Sequence, residues 1–124
     1  MKSKRALLAL IVFTCFFGCQ SRDSTTVPGE LVGVWKTSAP KYKGCYFELT
    51  QDSIIFANVP LSAKNNNSVS KIEKIHRRGK PILYTIHYED REGLEYKFSF
   101  FYDPLRGGTI RLKTQRQIVW KKVH

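Results

Sequence analysis

Residues 81–102, PILYTIHYEDREGLEYKFSFFY, decide the fold of this 124-residue chain. Two runs in which apolar and polar side chains alternate flank Arg91-Glu92-Gly93, and such alternation is typical of β-strands with one buried face. A three-residue turn with Gly93 in the left-handed region predicts an antiparallel hairpin. Its register would place four apolar or aromatic pairs on one face: Ile82 with Tyr102, Tyr84 with Phe100, Ile86 with Phe98, and Tyr88 with Tyr96. A slip of one residue would break all of these pairs, so the sequence predicts the register too.

The other face of this hairpin is polar with one exception. It carries two polar pairs, as expected for a face in water: His87 with Lys97 and Thr85 with Ser99. Leu83 opposite Phe101 breaks the pattern. We expect these two side chains to form a second contact surface or a buried rim.

The same alternation continues from Leu31 onward, and turn residues separate its runs. We predict eight strands, at 31–37, 43–50, 53–58, 69–78, 81–89, 94–102, 109–113 and 117–123. Turns at Gln51-Asp52 and Thr114-Gln115-Arg116 predict further apolar pairs: Leu49 with Ile54, Phe47 with Phe56, Leu112 with Ile118, and Ile110 with Trp120. Only 69–78 departs from the alternation, because Ile72 and Ile75 are three residues apart, which indicates a bulge or a frayed strand.

The connections between these strands are short, and the fold class that follows is all-β. Successive hairpins give a single antiparallel up-and-down meander of eight strands. Closure into a barrel, or strong curvature into a half-barrel, would shield the exposed strand edges. The sequence leaves open whether the first and last strands pair.

The first 19 residues have the layout of a bacterial export signal. Residues 2–5 include three basic side chains, and the apolar run from Ala6 to Phe17 is too short to span a bilayer as a stable helix. Gly18 and Cys19 follow. This arrangement resembles the lipobox of bacterial lipoproteins, in which the chain is cut before the cysteine and its thiol receives a diacylglyceryl group. An ordinary cleaved signal and an uncleaved N-terminal anchor are the alternatives.

The lipobox resemblance implies a domain organisation and a location. It divides the chain into a signal peptide over 1–18, the lipidated Cys19 with a tether over 19–30, and a β domain over 31–124. Acyl chains such as palmitate would then hold the protein on the extracytoplasmic side of the bacterial cell envelope. Gln20 after the cysteine resembles proteins sent to the outer membrane, which implies its periplasmic face if the organism has two membranes. The polar residues 20–28 would reach roughly 30 Å at most, so the domain would stay near the membrane.

The positive net charge of the chain favours anionic binding partners. Without residues 1–18 the chain keeps 18 basic and 10 acidic side chains, a net charge of +8. An exported protein does not meet nucleic acid, so anionic lipid headgroups, glycans and acidic envelope proteins are the expected partners. The turn at 76–80 groups Arg77, Arg78 and Lys80 as candidates for contact with such an anionic surface. A solvated hairpin tip that discourages edge pairing is the alternative.

Gly33-Val34-Trp35 on the first predicted strand resembles the G-x-W signature of the lipocalins. The resemblance covers this entry strand alone. It implies a lipocalin-like small β-barrel, in which Trp35 packs at the closed end and an arginine, here Arg111 or Arg116, stacks on its ring. Simple packing of Trp35 and Trp120 in the core is the alternative.

The predicted inner face is rich in aromatic side chains, which favours a binding site for an apolar or amphipathic small molecule. An eight-stranded barrel is wide enough either to be filled by its own side chains or to hold one small ligand. Both a filled core and a cavity therefore stay open. The candidate ligand-binding residues are Trp35, Tyr84, Tyr88, Tyr96, Phe98, Phe100, Tyr102 and Trp120.

No pattern in the sequence indicates catalysis, so we expect a binding protein and not an enzyme. The acidic residues within 89–95 lie at an exposed tip, which does not separate the pKa values of two catalytic carboxyls. His76 and His87 would lie about 13 Å apart, too far to chelate one metal ion, and we expect no cofactor. Cys45 is in phase with Phe47, so we expect it to act as a small apolar residue.

Two functions follow from these features. The leading one is non-catalytic binding of an apolar or amphipathic small molecule inside the barrel of a membrane-anchored lipoprotein. The alternative is a structural or interaction lipoprotein, whose filled barrel docks envelope proteins or anionic glycans through its basic surface. A neutral apolar probe should bind the first with saturation, whereas partner binding by the second should weaken with salt.

Overall fold

Nine β-strands make up most of the structure, a computed structural model that describes residues 20–58 and 63–123. In chain order they are β1 Gln20–Ser24, β2 Gly33–Lys36, β3 Cys45–Leu49, β4 Ser53–Asn58, β5 Ala63–His76, β6 Ile82–Glu89, β7 Glu95–Asp103, β8 Thr109–Leu112 and β9 Gln115–Val123. Short 3₁₀ turns lie at Pro40–Tyr42 and Leu105–Gly107. Within the described ranges, no helix is long and apolar enough to cross a membrane. The predicted signal and Cys19 lie outside the described residues.

Strands β2 to β9 form a closed antiparallel barrel. Each strand pairs with the next along the chain, and β9 returns to pair with β2, where Val34 lies opposite Val123. The predicted all-β meander of eight strands is therefore confirmed, and the barrel is closed. Closure leaves these strands no long free edge.

The register of the central hairpin is as predicted. All four apolar pairs of β6 and β7 form, and Gly93 has a φ of 82° in the turn between them. Leu83 lies opposite Phe101 on the outer face. The pairs predicted around the Gln51-Asp52 turn also form. Where a short turn joins two strictly alternating runs, the sequence predicts the register correctly.

The pairing of β8 with β9 differs from the prediction. Ile110 lies opposite Trp120 as expected, but Leu112 lies opposite Gln115 and not Ile118. An irregularity between Ile110 and Leu112 shifts the register, so β9 already begins at Gln115. The predicted loop at 114–116 is therefore wrong, because a bulge absorbs residues that simple alternation assigns to the turn.

β5 begins earlier than predicted. It starts at Ala63, so residues 63–68, which the prediction leaves between two strands, are part of the strand and pair with β4. Asn67 is buried, and its Nδ2 donates to the Ile54 carbonyl oxygen at 3.3 Å. These cross-strand interactions override the low strand propensity of asparagine.

A bulge between Val69 and Lys71 accounts for the irregular spacing within β5. It shifts the pairing with β6 by one residue, as the spacing of Ile72 and Ile75 indicated. Ile72 consequently lies in the core with 2% of its surface exposed. Ile75 lies on the outer face, opposite Leu83.

β1 is a strand where the sequence predicts a tether. β4 covers β5 from Ala63 to Ser68, and β1 pairs with the part that follows, so that Gln20 lies opposite His76 and Ser24 opposite Ile72. A free strand edge favours the addition of another strand through main-chain hydrogen bonds, whatever the side chains. This edge exists only in the folded barrel. The polar sequence of β1 therefore does not predict that these residues form a strand.

The two ends of the barrel differ. At the end with the β3–β4, β5–β6 and β7–β8 connections, Val27 and Leu31 pack into the core, and Gly29 and Glu30 between them are exposed. The Val27 amide donates to the Gln51 carbonyl oxygen at 2.9 Å, and Leu31 is fully buried. Trp35 donates from Nε1 to the Leu31 carbonyl oxygen at 2.9 Å. We call this the closed end, and the opposite end the open end.

Candidate functional site

Aromatic side chains fill the middle of the barrel. Trp35, Tyr84 and Phe100 have no exposed surface, and Tyr102 is 6% exposed. Their rings form edge or tilted contacts with centroids 5.7 to 6.3 Å apart. These four candidate ligand-binding residues therefore belong to the packed core and present almost no surface to a ligand.

A partly buried hydrogen bond links this core to the closed end. Tyr84 donates from its hydroxyl to Glu30 Oε1 at 2.5 Å. Burial, together with this hydrogen bond and the charge of Glu30, raises the pKa of Tyr84 well above its ordinary value. Burial also raises the pKa of Tyr102. Both phenols thus stay protonated at neutral pH and serve the packing of the closed end.

Lys122 takes the place that the lipocalin resemblance gave to an arginine. Its Nζ lies 5.4 Å from the centroid of the Trp35 ring and donates to the Glu30 carbonyl oxygen at 2.7 Å. The expected stacking of Arg111 or Arg116 on Trp35 does not occur. Arg116 instead lies over the Phe101 ring at 4.4 Å, and Arg111 donates from Nη1 to the Arg116 carbonyl oxygen.

A cavity of about 430 Å³ lies at the open end of the barrel. We call it the mouth cavity. Its walls are mostly aromatic or apolar side chains: Tyr42, Phe47, Phe56, Phe98, Leu112 and Trp120. Lys64 and Asn65, both exposed, add polar groups at its edge. Two of the candidate ligand-binding residues, Phe98 and Trp120, therefore line a space that a small molecule can enter.

Ring contacts hold the walls of the mouth cavity in place. The Phe98 ring meets Phe56 and Phe47 edge to face, at centroid distances of 5.4 and 5.3 Å. Phe47 lies 5.2 Å from Trp120. Because the side chains pack against one another, a ligand would not have to order them, which lowers the entropic cost of binding.

Tyr42 forms one wall and was missed by the sequence analysis. It ends the 3₁₀ turn Pro40–Tyr42, its ring lies 5.4 Å from that of Trp120, and its hydroxyl donates to Gln115 Oε1 at 2.5 Å. Residues in the connection between β2 and β3 have no strand periodicity. In the sequence, only the proline and the large aromatic side chain that follows it could have indicated that this connection contributes a wall of the cavity.

Two buried polar atoms of the cavity-lining residues have no hydrogen-bond partner among the described residues. They are Trp120 Nε1, a donor, and Asn58 Oδ1, an acceptor. An unsatisfied buried polar atom costs about 1 to 3 kcal/mol, and folded proteins contain few of them. Two side chains of the cavity lining thus hold a buried donor and a buried acceptor without a partner among the described residues.

Tyr88 and Tyr96 extend the aromatic surface beyond the mouth cavity. Their rings stack with centroids 5.5 Å apart, and Tyr88 lies 5.7 Å from Phe56. The Tyr96 ring is largely in water, and its hydroxyl donates to Asp90 Oδ2 at 3.3 Å. The charge of Asp90 raises the pKa of Tyr96, and burial raises that of Tyr88. These two candidates therefore support the cavity from the side.

Cys45 is a free thiol that lines the mouth cavity. It is half-buried at the start of β3, in phase with Phe47 as the sequence predicted. Partial exposure at the cavity makes it a natural site for chemical labelling, which burial would have prevented.

The basic turn lies at the closed end, away from the mouth cavity. Arg77, Arg78 and Lys80 are exposed there, and the Lys80 amide donates to the Arg77 carbonyl oxygen at 3.1 Å. Arg77 and Lys80 border a second, outer groove of about 650 Å³, whereas Arg78 does not.

Among the described residues, no three His, Cys, Asp or Glu side chains lie close enough together to hold a metal ion. His87 is occupied by Glu73, whose Oε1 lies 3.0 Å from Nε2. Comparison of the chain with protein-family models, curated proteins and solved structures found no match.

Proposed function

We propose that this is a non-catalytic binding protein that takes one small amphipathic molecule into the mouth cavity. The observation that carries the proposal is a mostly apolar cavity whose lining residues Trp120 and Asn58 hold a buried donor, Nε1, and a buried acceptor, Oδ1, with no partner among the described residues. Small-molecule sites are commonly apolar clefts of about 300 to 1,000 Å³ with a few placed polar groups. The mouth cavity, at about 430 Å³, has this character.

The packing below the cavity limits what the ligand can be. Phe100 and Tyr84 are fully buried beneath the mouth, so a long chain would not thread through the barrel. The ligand is therefore short, with an apolar body against Phe56, Phe98 and Trp120. It carries at least one group, such as a hydroxyl or amide, that both accepts and donates hydrogen bonds.

The first experiment is to purify the chain from Gln20 onward without denaturation, extract it with organic solvent, and identify co-purified molecules by mass spectrometry. A stoichiometric small amphipathic compound supports the proposal and identifies the ligand class. The second is a titration with the neutral dye N-phenyl-1-naphthylamine. Absence of both a co-purified compound and saturable dye binding would contradict the proposal.

A matched pair of variants locates the dye. Phe98→Ala removes a wall of the mouth cavity, while Phe101→Ala removes the same side chain from the outer face of the same strand, β7. We expect the first to weaken dye binding at least tenfold, the loss of about 1.4 kcal/mol. The second should leave mouth-cavity binding unchanged. Equal effects would place the dye elsewhere.

Membrane attachment is part of the proposal. The sequence of residues 2–19 supports an export signal followed by a lipidated Cys19 in the bacterial cell envelope. Mass spectrometry of the N-terminal peptide from membrane-purified protein tests it. An acylated Cys19 is the expected result, and an unmodified cysteine or retained residues 1–18 would contradict it.

A second candidate function is docking of an acidic envelope protein or an anionic glycan. It is favoured by a groove of about 540 Å³ on the outer face of β2, β8 and β9. The groove contains four basic side chains: Lys36, Arg106, Arg111 and Lys121. Binding of a polyanion there should weaken between 0.1 and 1 M salt, as the Debye length falls from about 10 to about 3 Å. Binding of a neutral probe in the mouth cavity should not.

A further inference from the structure

We propose that the outer face around Ile75, Leu83 and Phe101 is a docking surface that seats the barrel on an anionic phospholipid bilayer. The proposal is separate from ligand binding in the mouth cavity, and it rests on the proposed attachment of the N-terminal residues to a membrane. We call this face the docking face.

The docking face is an apolar row whose neighbouring rows on the same outer face are polar. Four residues lie side by side across β5, β6, β7 and β8: Ile75, Leu83, Phe101 and Arg111. The next rows toward the open end are polar: Glu73, Thr85 and Ser99, followed by Lys71, His87 and Lys97. The three apolar side chains of the first row are half-buried, so they keep surface available for contact.

Basic side chains border this apolar row on both sides. Arg77, Lys80, Arg111 and Arg116 line the same groove of about 650 Å³ as Ile75, Leu83 and Phe101. Arg116 covers the Phe101 ring at 4.4 Å, and Arg111 is held by the Arg116 carbonyl oxygen at 2.9 Å. Among the described residues, Lys71 forms ion pairs with Asp23 and Glu73, and none of these four cations forms one.

Such a groove fits a partner that is both apolar and anionic. Phospholipid headgroups supply phosphate for the arginines, and the glycerol and acyl boundary supplies apolar contact for the row beneath them. Each lysine or arginine near an anionic leaflet contributes about fivefold in affinity, so four cations act together strongly. A soluble polyanion would account for the cations but leave the apolar row in water.

The position of the N-terminus selects the membrane as this partner. Gln20 lies opposite His76, and Ser21 lies opposite Ile75, so β1 runs directly beside the docking face. The 19 residues that precede Gln20 in the sequence include the apolar run from Ala6 to Phe17. Whether lipid on Cys19 or this run holds the chain in the membrane, the attachment point adjoins the docking face. The pairing of β1 with β5 leaves little free tether to move the barrel away.

This orientation leaves the mouth cavity accessible. The docking face lies next to the Arg77–Lys80 turn at the closed end, whereas Tyr42, Asn58 and Trp120 lie at the open end. A barrel seated on its docking face would therefore present the mouth cavity away from the attachment point.

The test uses the full chain reconstituted into vesicles that contain brominated phosphatidylcholine, with or without phosphatidylglycerol. Phe101→Trp places a fluorophore in the docking face, and Tyr96→Trp places one at the exposed tip of the β6–β7 hairpin near the open end. The wild-type signal from Trp35 and Trp120 is subtracted. Leu83→Trp is an independent reporter of the docking face on the neighbouring strand, should Phe101→Trp fold poorly.

We expect bromine in anionic vesicles to quench the docking-face reporter, at position 101 or 83, and to leave the hairpin-tip reporter largely unquenched. Adding Arg77→Gln, Lys80→Gln, Arg111→Gln and Arg116→Gln together, or raising salt to 1 M, should remove most of that quenching. Equal quenching of both reporters, or quenching that is the same in purely neutral vesicles, would overturn the proposal. So would a failure of the full chain to float with the vesicles, since the docking face needs an attached chain.

Discussion

Trp120 and Asn58 line the same cavity, and each holds a buried polar atom, Nε1 and Oδ1, that no described residue satisfies. The second tryptophan behaves differently, because Trp35 donates its Nε1–H to the Leu31 carbonyl oxygen at the closed end. Among the described residues, the buried side-chain polar atoms without a partner therefore lie at the open end and none lies at the closed end. An unsatisfied buried donor or acceptor lowers the stability of a fold, so stability does not explain the unpaired atoms at the open end. Binding of a polar group there does explain them.

Replacing Asn58 by an apolar residue should weaken ligand binding without lowering the stability of the protein. Asn58→Leu removes an unpaired acceptor, so we expect it to leave the free energy of unfolding unchanged or raise it by up to about 1 kcal/mol. The same change should weaken binding of an amphipathic ligand. Urea unfolding and ligand titration measure the two effects.

Asn67→Leu is the matched control for that experiment. The Asn67 amide is buried and donates to the carbonyl oxygens of Ile54 and Asn65. Its loss leaves a buried carbonyl with one partner fewer, so we expect destabilisation by about 1 to 3 kcal/mol. If both leucine variants lost stability equally, Asn58 Oδ1 would have to be satisfied in the folded protein.

Lys122 should stabilise the closed end through Trp35. Lys122→Met keeps an unbranched side chain over the ring but removes the cation and the hydrogen bond to the Glu30 carbonyl oxygen. We expect a loss of about 1 to 2 kcal/mol in the free energy of unfolding. Circular dichroism during urea unfolding measures it, and no loss would show that solvent replaces both interactions.

Gly33 and Lys122 should show energetic coupling. Gly33 has a φ of 146°, and a Cβ at this position would lie 3.0 Å from Lys122 Cδ. Gly33→Ala should therefore destabilise the protein through both backbone strain and this contact. In a Lys122→Ala background only the backbone part should remain, so a double-mutant cycle should give an interaction energy of about 0.5 kcal/mol or more. Strict additivity would contradict the contact.

Stability should fall in alkali because of Tyr84. Burial and the hydrogen bond to Glu30 raise the pKa of Tyr84 in the folded protein above its value of 10.0 in an unfolded chain. Below pH 10 both states hold the proton; above it the unfolded state loses the proton first, so unfolding becomes more favourable. The slope from this group approaches about 1.4 kcal/mol per pH unit.

Tyr84→Phe isolates that contribution. It should lower stability by about 1 kcal/mol at pH 8, where the hydrogen bond to Glu30 is lost. It should also flatten the decline above pH 10, as followed by urea unfolding at several pH values. An unchanged alkaline slope would mean that other tyrosines dominate it.

Cys45 should report occupancy of the mouth cavity. It is half-buried among the lining residues, so iodoacetamide should alkylate it slowly and a bound ligand should slow the reaction further. Peptide mass spectrometry reads this site separately from other cysteines. Alkylation at the same rate with saturating ligand would exclude binding next to Cys45.

The sequence predicts the barrel well because period-two alternation and turn residues act locally. The β6–β7 register follows from residues 81–102 alone, and the Leu83–Phe101 pair lies on the outer face, where the sequence shows an exception to the polar pattern. The sequence does not predict contacts that form only once the barrel has closed. β1 forms because β4 leaves part of the β5 edge free, and Lys122 meets Trp35 because β9 returns to β2.

The alternation of apolar and polar residues also does not distinguish side chains that line the mouth cavity from side chains that fill the core. Phe98 and Phe100 face inward on the same strand, yet one lines the mouth cavity and the other is fully buried. Their difference is set by how many neighbouring rings fit at each level of the barrel, which is a property of packed volume. Tyr42 illustrates the same limit, since a connection between strands supplies a wall of the site.

The most direct test of the proposed function is a ¹H–¹⁵N spectrum of the chain from Gln20 onward, titrated with 1-hexanol, which has a short apolar chain and a hydroxyl that accepts and donates. The chain has two tryptophans, so two indole N–H resonances are expected, and Trp120→Phe assigns them. We predict a saturable shift of the Trp120 resonance while that of Trp35 stays in place. Two unmoved resonances, or equal shifts of both, would contradict ligand binding in the mouth cavity.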